Sequence, residues 1–117
     1  MDNKEFGRVL EKRTSDFAVR IIRLSARLPG TTEGKVIRNQ LPKTGTSVGA
    51  NYREANRARS KADFRNKIAI CESEASETQY WLEVIEELGW LPWDELRADY
   101  EGSAELLAIF TFIGMPK

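Results

Sequence analysis

A stretch of fifteen residues near the middle of the chain carries a strong excess of positive charge. Its basic residues are Arg53, Arg57, Arg59, Lys61, Arg65 and Lys67, and only Glu54 and Asp63 oppose them. Because the planar guanidinium fork binds two phosphate oxygens at once, such a cluster is suited to phosphate recognition. We interpret the stretch as a candidate nucleic-acid-binding site whose affinity falls with salt. The alternative is a solvated surface on which Arg53 pairs locally with Glu74 or Glu77.

The charge of the whole chain is distributed unevenly. The 117 residues include 18 basic and 18 acidic side chains, so the net charge is zero. Residues 1–71 hold 16 basic and 7 acidic side chains, whereas residues 72–117 hold 2 and 11. Such asymmetry between halves favours charge-directed binding.

The composition excludes several classes of function. The chain has no histidine, which excludes Ser-His-Asp and Cys-His catalysis and most catalytic zinc sites. Without histidine, the pair Glu74 and Glu77 does not form a convincing metal site. The single cysteine, Cys71, excludes an internal disulfide and fits a reducing compartment. The charged N-terminus does not resemble a signal peptide, and no apolar run approaches the ~20 residues of a membrane span. We expect a cytoplasmic, non-enzymatic protein without a cofactor.

Apolar residues at spacings of three, four and seven predict four amphipathic helices, at residues 4–28, 32–58, 61–88 and 94–113. The second helix continues through Pro42 with a kink; the alternative divides it there, with the longer helix beginning after Thr44. Thr32 and Ser60 are predicted N-caps, and Gly89 is a predicted C-terminal cap. Short connections predict antiparallel neighbours, and hence a single all-α domain, 1–117, with an up-down-up-down four-helix bundle.

This topology would bring residues 1–13, 51–67 and 105–117 to one end of the bundle, with a charge balance of +5, and leave −5 on the rest.

Gly45 and Gly49 lie one turn apart on the second helix. Because glycine inside a helix costs about 1 kcal/mol relative to alanine, they predict close approach of another backbone, with packing inside the chain favoured.

The second and third helices carry a recognisable signature. It comprises Gln40-Leu41-Pro42-Lys43-Thr44-Gly45-Thr46-Ser47-Val48-Gly49-Ala50-Asn51-Tyr52-Arg53-Glu54-Ala55, followed by Arg57-Ala58, Ser60, Asp63-Phe64, Lys67 and Glu74-Ala75-Ser76-Glu77-Thr78 with Tyr80-Trp81-Leu82. This pattern resembles the bacterial four helix bundle proteins, also called 23S rRNA intervening-sequence proteins.

The resemblance implies a bundle that assembles as a ring, typically a homopentamer, with no established enzymatic activity. Some members are encoded within insertions in large-subunit rRNA genes. Related proteins are accessory factors of diversity-generating retroelements, in which a basic ring surface is associated with nucleic acid and a reverse transcriptase. Those factors tend to be strongly basic, whereas this chain is neutral.

The resemblance also implies a structural signature of polar residues. They are Gln40, Ser47, Asn51, Arg53, Glu54, Glu74 and Glu77. We interpret them as an interhelical network of hydrogen bonds and ion pairs that fixes packing register.

Two functional hypotheses follow. In the first, the protein forms a ring and binds RNA or DNA through its basic end. In the second, it is an oligomeric scaffold or accessory factor for a protein partner such as a reverse transcriptase, and subunit contacts use the charges without direct binding of nucleic acid.

Overall fold

Four helices make up the computed structural model, which describes residues 2–116; Met1 and Lys117 lie outside the described residues. The helices are α1 (Asn3–Ser25), α2 (Thr32–Ala55), α3 (Lys61–Glu87) and α4 (Trp93–Ile113). No strand is present in residues 2–116. The predicted all-α fold is therefore confirmed.

Two helices end three residues earlier than predicted, because tighter turns replace their last α-helical bonds. After α1, the backbone N–H of Arg27 donates to Leu24 and that of Leu28 donates to Ser25. After α2, the N–H groups of Arg57 and Ala58 donate to carbonyls three residues back in the same way. Such i→i+3 bonds satisfy terminal carbonyls while turning the chain away from the helix axis.

Side chains cap the first turns of α2 and α3. The N-cap of α2 is Thr31, whose hydroxyl accepts a hydrogen bond from the N–H of Gly34 at 3.0 Å. The prediction of Thr32 was wrong by one residue, because either threonine can fill this role and the preceding one is in extended geometry. Ser60 caps α3 as predicted, by accepting from the N–H of Asp63 at 3.0 Å.

Gly89 ends α3 with a left-handed residue at φ +70°. Its N–H donates to the carbonyl of Glu86, and the N–H of Trp90 donates to that of Ile85. This pair of bonds is the Schellman motif, in which glycine avoids the steric penalty of positive φ. The predicted cap is confirmed.

Helix α2 runs without interruption through Pro42. The alternative that divides it at this point is therefore wrong. Proline removes one backbone donor and crowds the preceding turn, which disfavours a helix interior. Burial of Ile37 and Leu41 before Pro42, and of Val48 and Tyr52 after it, keeps one apolar stripe against the core and outweighs that cost.

Consecutive helices pack against each other along their lengths. Residues that ascend along one helix meet residues that descend along the next. Gly45 lies against Ile21 and Gly49 against Thr14, whereas Val48 meets Cys71 and Thr44 meets Thr78. All four helices contribute to a single apolar core.

Helices α1 and α4 have the fewest contacts of any packed pair, and arginines bridge them. The pairs are Arg13 with Glu105, Arg20 with Asp99, and Arg27 with Glu95. Arg13 and Arg20 are seven residues apart and so project from one face of α1, and Arg27 follows seven residues later in the turn after the helix. We call this row of three ion pairs the α1–α4 seam.

The contact between α1 and α2 is close because of glycine. A Cβ atom placed on Gly45 would lie 2.6 Å from Cγ2 of Ile21, and one on Gly49 would lie 3.0 Å from Oγ1 of Thr14. Both distances are shorter than ordinary van der Waals contact. The predicted close approach at these glycines is confirmed, and the approaching helix belongs to the same chain.

We predict opposite effects of alanine at two helical glycines. Gly45→Ala should lower the free energy of unfolding by about 1–3 kcal/mol, because the buried, β-branched Ile21 cannot move aside. Gly102→Ala should raise it by up to about 1 kcal/mol, because its Cβ would lie 3.6 Å from Phe17, in ordinary contact. Urea titration of the two variants measures both changes. Equal stabilisation by both substitutions would contradict the close approach at Gly45.

The middle pair of the α1–α4 seam should matter most for stability. Asp99 is only 6% exposed, and Nε of Arg20 donates to its carboxylate at 2.7 Å. Arg20→Ala should cost about 1–3 kcal/mol, because it leaves a buried carboxylate without that donor. Arg97→Ala is the matched control, since Arg97 pairs with exposed Glu101 on its own helix and should change stability little. Equal melting temperatures for the two variants would contradict this account.

Candidate nucleic-acid interface

Three segments that are distant in sequence meet at one end of the bundle. The side-chain amide of Asn56, after α2, donates to Glu11 of α1 at 2.8 Å. The rings of Tyr52 and Phe110 lie 5.6 Å apart, which joins the end of α2 to the last turns of α4. We call this surface the basic end, defined by residues 2–13, 51–67 and 105–116. Lys117, which contributes to the +5 balance of the sequence, lies outside the described residues.

Most of the predicted phosphate-binding residues are accessible. Arg57, Arg59, Lys61 and Arg65 are exposed, and Lys67 is half-buried. Within residues 2–116, none of these five side chains takes part in an ion pair, whereas six other basic residues do. The turn between α2 and α3 therefore concentrates cations that the rest of the chain does not neutralise.

Arg53, the sixth predicted residue, is in a different position. Its Nε lies 3.8 Å from Oε1 of Glu11, so its ion pair joins α2 to α1. The alternative pairing with Glu74 or Glu77 is not observed among the described ion pairs. The other oxygen of Glu11 accepts from Asn56, so this carboxylate ties two residues at the end of α2 to α1.

The polar signature residues make mostly local bonds. The Ser47 hydroxyl donates to the carbonyl of Lys43, and the Asn51 amide donates to that of Ser47, both within α2. Glu77 accepts from Nε1 of Trp81, within α3. Gln40, Glu54 and Glu74 have no side-chain hydrogen bond in the described part of the chain. Arg53 alone of the seven bonds across helices, so the expected interhelical network is not made among these residues within one chain.

Five of these residues share one surface. Gln40, Ser47, Asn51 and Glu54 follow each other by seven, four and three residues, which places them along one stripe of α2. Partial burial and the neighbouring Glu77 raise the pKa of Glu74, while Lys43 of α2 opposes the rise. The α2 stripe therefore adjoins Glu74, and we call this surface the α2–α3 flank.

A polar contact between helices in the core involves two threonines that are not among the seven polar signature residues. The hydroxyls of Thr44 and Thr78 lie 3.0 Å apart, and both side chains are fully buried between α2 and α3. The sequence held a signal for this contact, since each threonine interrupts an otherwise apolar stripe. A buried hydroxyl needs a partner, and two such threonines on neighbouring helices can satisfy each other.

The described residues offer neither a metal centre nor a membrane span. In residues 2–116, no group of three or more cysteine, aspartate or glutamate side chains is arranged to hold a metal ion. None of the four helices has the length and apolar character needed to cross a membrane.

Comparison with protein families gives one assignment. The family model described as 23S rRNA-intervening sequence protein matches residues 9–111, which span parts of all four helices. The chain belongs to the 23S rRNA-intervening sequence protein family.

A solved structure supports this membership. The chain is similar to a protein of unknown function from the S23 ribosomal protein family of Bacteroides thetaiotaomicron, with 35% sequence identity and a TM-score of 0.84. The match covers 91% of this chain and 98% of that one. No curated protein matches the chain. The function of the family is unknown.

In this member of the 23S rRNA-intervening sequence protein family, the lone cysteine is part of the core. Cys71 is fully buried, and its thiol donates to the carbonyl of Val48 at 3.5 Å. Burial raises the pKa of the Cys71 thiol to about 12. Because the thiolate is the reactive form, this cysteine is poorly suited to act as a nucleophile.

The Cys71 thiol should therefore respond to pH in a defined way. A folded pKa above the unfolded value of about 8.5 means that its contribution to stability is complete below pH ~8.5 and is lost between there and pH ~12. Cys71→Ala should remove this part of the alkaline loss of stability, which urea titrations at pH 7 and pH 10 measure. In the native wild type at pH 7, a thiol reagent should react only at the rate of unfolding. Rapid labelling of the folded protein would contradict this account.

Proposed function

We propose that this protein is a non-enzymatic, ring-forming subunit of the cytoplasm that associates with RNA or DNA through its basic end. The binding residues are Arg57, Arg59, Lys61, Arg65 and Lys67, with Arg53 as a contributor held by Glu11. The observation that carries the proposal is a set of five accessible or half-buried cations around one turn, none of which forms an ion pair within residues 2–116.

The charge of this turn needs a counter-charge. Five cations lie within eleven residues, and only Asp63 lies among them. Repulsion between like charges at this spacing is reduced by solvent and salt, and it is reduced further by a bound polyanion. Phosphates along a nucleic acid can meet several of these residues at once, which suits the turn better than a single small anion would.

Contact through phosphates determines the kind of binding. Lysine and arginine at phosphates fix position without reading bases, so affinity should be largely independent of sequence. Release of counterions should make it strongly dependent on salt. No pair of nucleophile and base is needed for this role.

The α2–α3 flank supports the ring part of the proposal. Within residues 2–116, the side chains of Gln40, Ser47, Asn51, Glu54 and Glu74 make no bond to a neighbouring helix, and Glu74 is partly desolvated there. A neighbouring subunit on this flank would supply such partners. A cyclic assembly repeats a contact between two different faces of the protomer, so this flank would meet a different surface of the next copy, and a homopentamer is one closed form.

We predict that neutralising the turn weakens binding. The triple variant Arg57→Gln, Arg59→Gln, Lys61→Gln should lower the affinity for a 20-nucleotide single strand. It should also reduce the salt slope of log K by about 2, at ~0.7 per neutralised phosphate. Fluorescence anisotropy between 50 and 200 mM salt measures both quantities.

The matched control replaces three basic residues near the other end of the bundle. Arg23→Gln, Lys35→Gln, Arg38→Gln makes the same change in net charge around the end of α1 and the start of α2. It should leave the salt slope close to that of the wild type. An equal loss in both triple variants would show that net charge, rather than the basic end, determines binding.

The second candidate function is an oligomeric scaffold or accessory factor for a protein partner such as a reverse transcriptase. The partly buried polar residues of the α2–α3 flank favour it, because that flank offers contacts to protein without involving the free cations. In that case, the cations of the basic end would serve contacts between subunits. The basic-end triple variant would then change oligomer size in light scattering, and the wild type would bind no nucleic acid at moderate salt.

A further inference from the structure

Two exposed aromatic rings lie at the basic end, next to the surface for which we propose nucleic-acid binding. Phe112 of α4 is 76% exposed, and Phe6 of α1 is 41% exposed. Val9 and Met115, in the same two segments, are also more than half exposed. Exposed apolar side chains grouped in this way are typical of an interaction surface.

The α1–α4 seam fixes where the two rings lie. Phe6 precedes Arg13 by seven residues, and Phe112 follows Glu105 by seven residues. Seven residues are two helical turns, so each phenylalanine lies on the same helix face as the paired residue, ~10 Å further toward the basic end. Phe6 and Phe112 therefore lie on the two helix faces that carry the Arg13–Glu105 ion pair, on the side of that pair nearer the basic end.

Neither ring is used in aromatic packing within the bundle. The aromatic ring pairs within residues 2–116 are Tyr52–Phe110, Tyr80–Trp81 and Trp93–Tyr100. Phe6 and Phe112 thus do not stack on each other or on another ring. Their faces remain accessible to a flat apolar group from outside the chain.

The charge around the rings indicates which kind of ligand would bind there. Lys4 and Arg8 lie two residues on either side of Phe6, are exposed, and have no ion pair among the described residues. The α2–α3 turn adds its cations at the same end. A ligand that fits both features carries flat apolar rings and closely spaced negative charges, which describes a nucleic acid with unpaired bases. Paired bases in a duplex are already stacked and hidden from such rings.

We propose that the basic end binds single-stranded nucleic acid by stacking bases on Phe112 and Phe6 while its cations hold the phosphates. This inference rests on the proposed function, and it specifies the substrate class as single strands. Stacking on an aromatic side chain tolerates any base, so it adds affinity without sequence preference.

The test distinguishes contacts to bases from contacts to phosphates. An unstructured 20-nucleotide single strand and an abasic strand of the same length carry the same charge, and only the first can stack. The wild type should bind the base-bearing strand more tightly. Phe112→Ala should weaken binding of that strand by about 5- to 100-fold and leave the abasic strand and the salt slope unchanged.

Two further variants serve as controls. Phe112→Tyr keeps a ring and should retain the preference for bases. Tyr80→Ala removes an aromatic side chain of α3 that is 55% exposed and lies outside the basic end, and it should have no effect. Circular dichroism of every variant shows whether the fold is intact, and Phe6→Ala provides an independent test of the same site.

The outcomes distinguish this inference from the proposed function. If the wild type binds both strands equally, while the triple variant of Arg57, Arg59 and Lys61 binds both more weakly, stacking is wrong and the phosphate-binding role stands. If a Phe112→Ala variant with an intact fold keeps the full preference for bases, and Phe6→Ala does too, stacking at this site is also wrong. If neither strand binds at moderate salt, both proposals are wrong.

Discussion

The close approach of α1 and α2 is the constraint on which the other contacts depend. Three glycines of α2 lie against α1 or the turn that follows it, and at Gly34 a Cβ atom would be 1.9 Å from the carbonyl oxygen of Pro29. The contact therefore extends along most of α2. It fixes the rotation of α1, so that Glu11 reaches Arg53 and the heptad arginines point toward α4. A wider spacing between α1 and α2 would lengthen the Glu11–Arg53 pair, in which Nε and Oε1 already lie 3.8 Å apart.

The seam accounts for part of the charge asymmetry of the chain. Three arginines of the basic half pair with three of the acidic residues of the second half. Part of the uneven charge distribution is thus used in packing within the chain and is not available to a partner. Among the described residues, eleven basic side chains have no ion pair, and five of them lie around the α2–α3 turn. This cluster is a smaller and more localised feature than the sequence totals indicate.

The four-helix architecture could be predicted from sequence because it depends on local periodicity. The apolar stripes, the cap at Ser60 and the left-handed Gly89 all act within a few residues. The seam could not be predicted in the same way, because the spacing of Arg13, Arg20 and Arg27 is visible but their partners on α4 depend on tertiary packing. The partners of the polar signature were beyond prediction for a related reason. A side chain such as Ser47 or Asn51 can bond to its own helix as readily as to a neighbour, and here it does. The excess of basic residues at positions 53–67 is visible in the sequence, but the ion pair between Arg53 and Glu11 is not.

The α1–α4 side of the bundle also differs from the other sides in the interactions that hold its two helices together. Apolar burial holds α1 to α2, α2 to α3 and α3 to α4, whereas exposed and half-exposed charges provide much of the contact between α1 and α4. Separating α1 from α4 would expose less apolar surface than separating any other packed pair. Amide protons facing this side should therefore exchange with solvent through partial openings that leave α2 and α3 together. The bundle is thus closed on its α1–α4 side mainly by three ion pairs, whereas α2 and α3 form its most extensive helix contact.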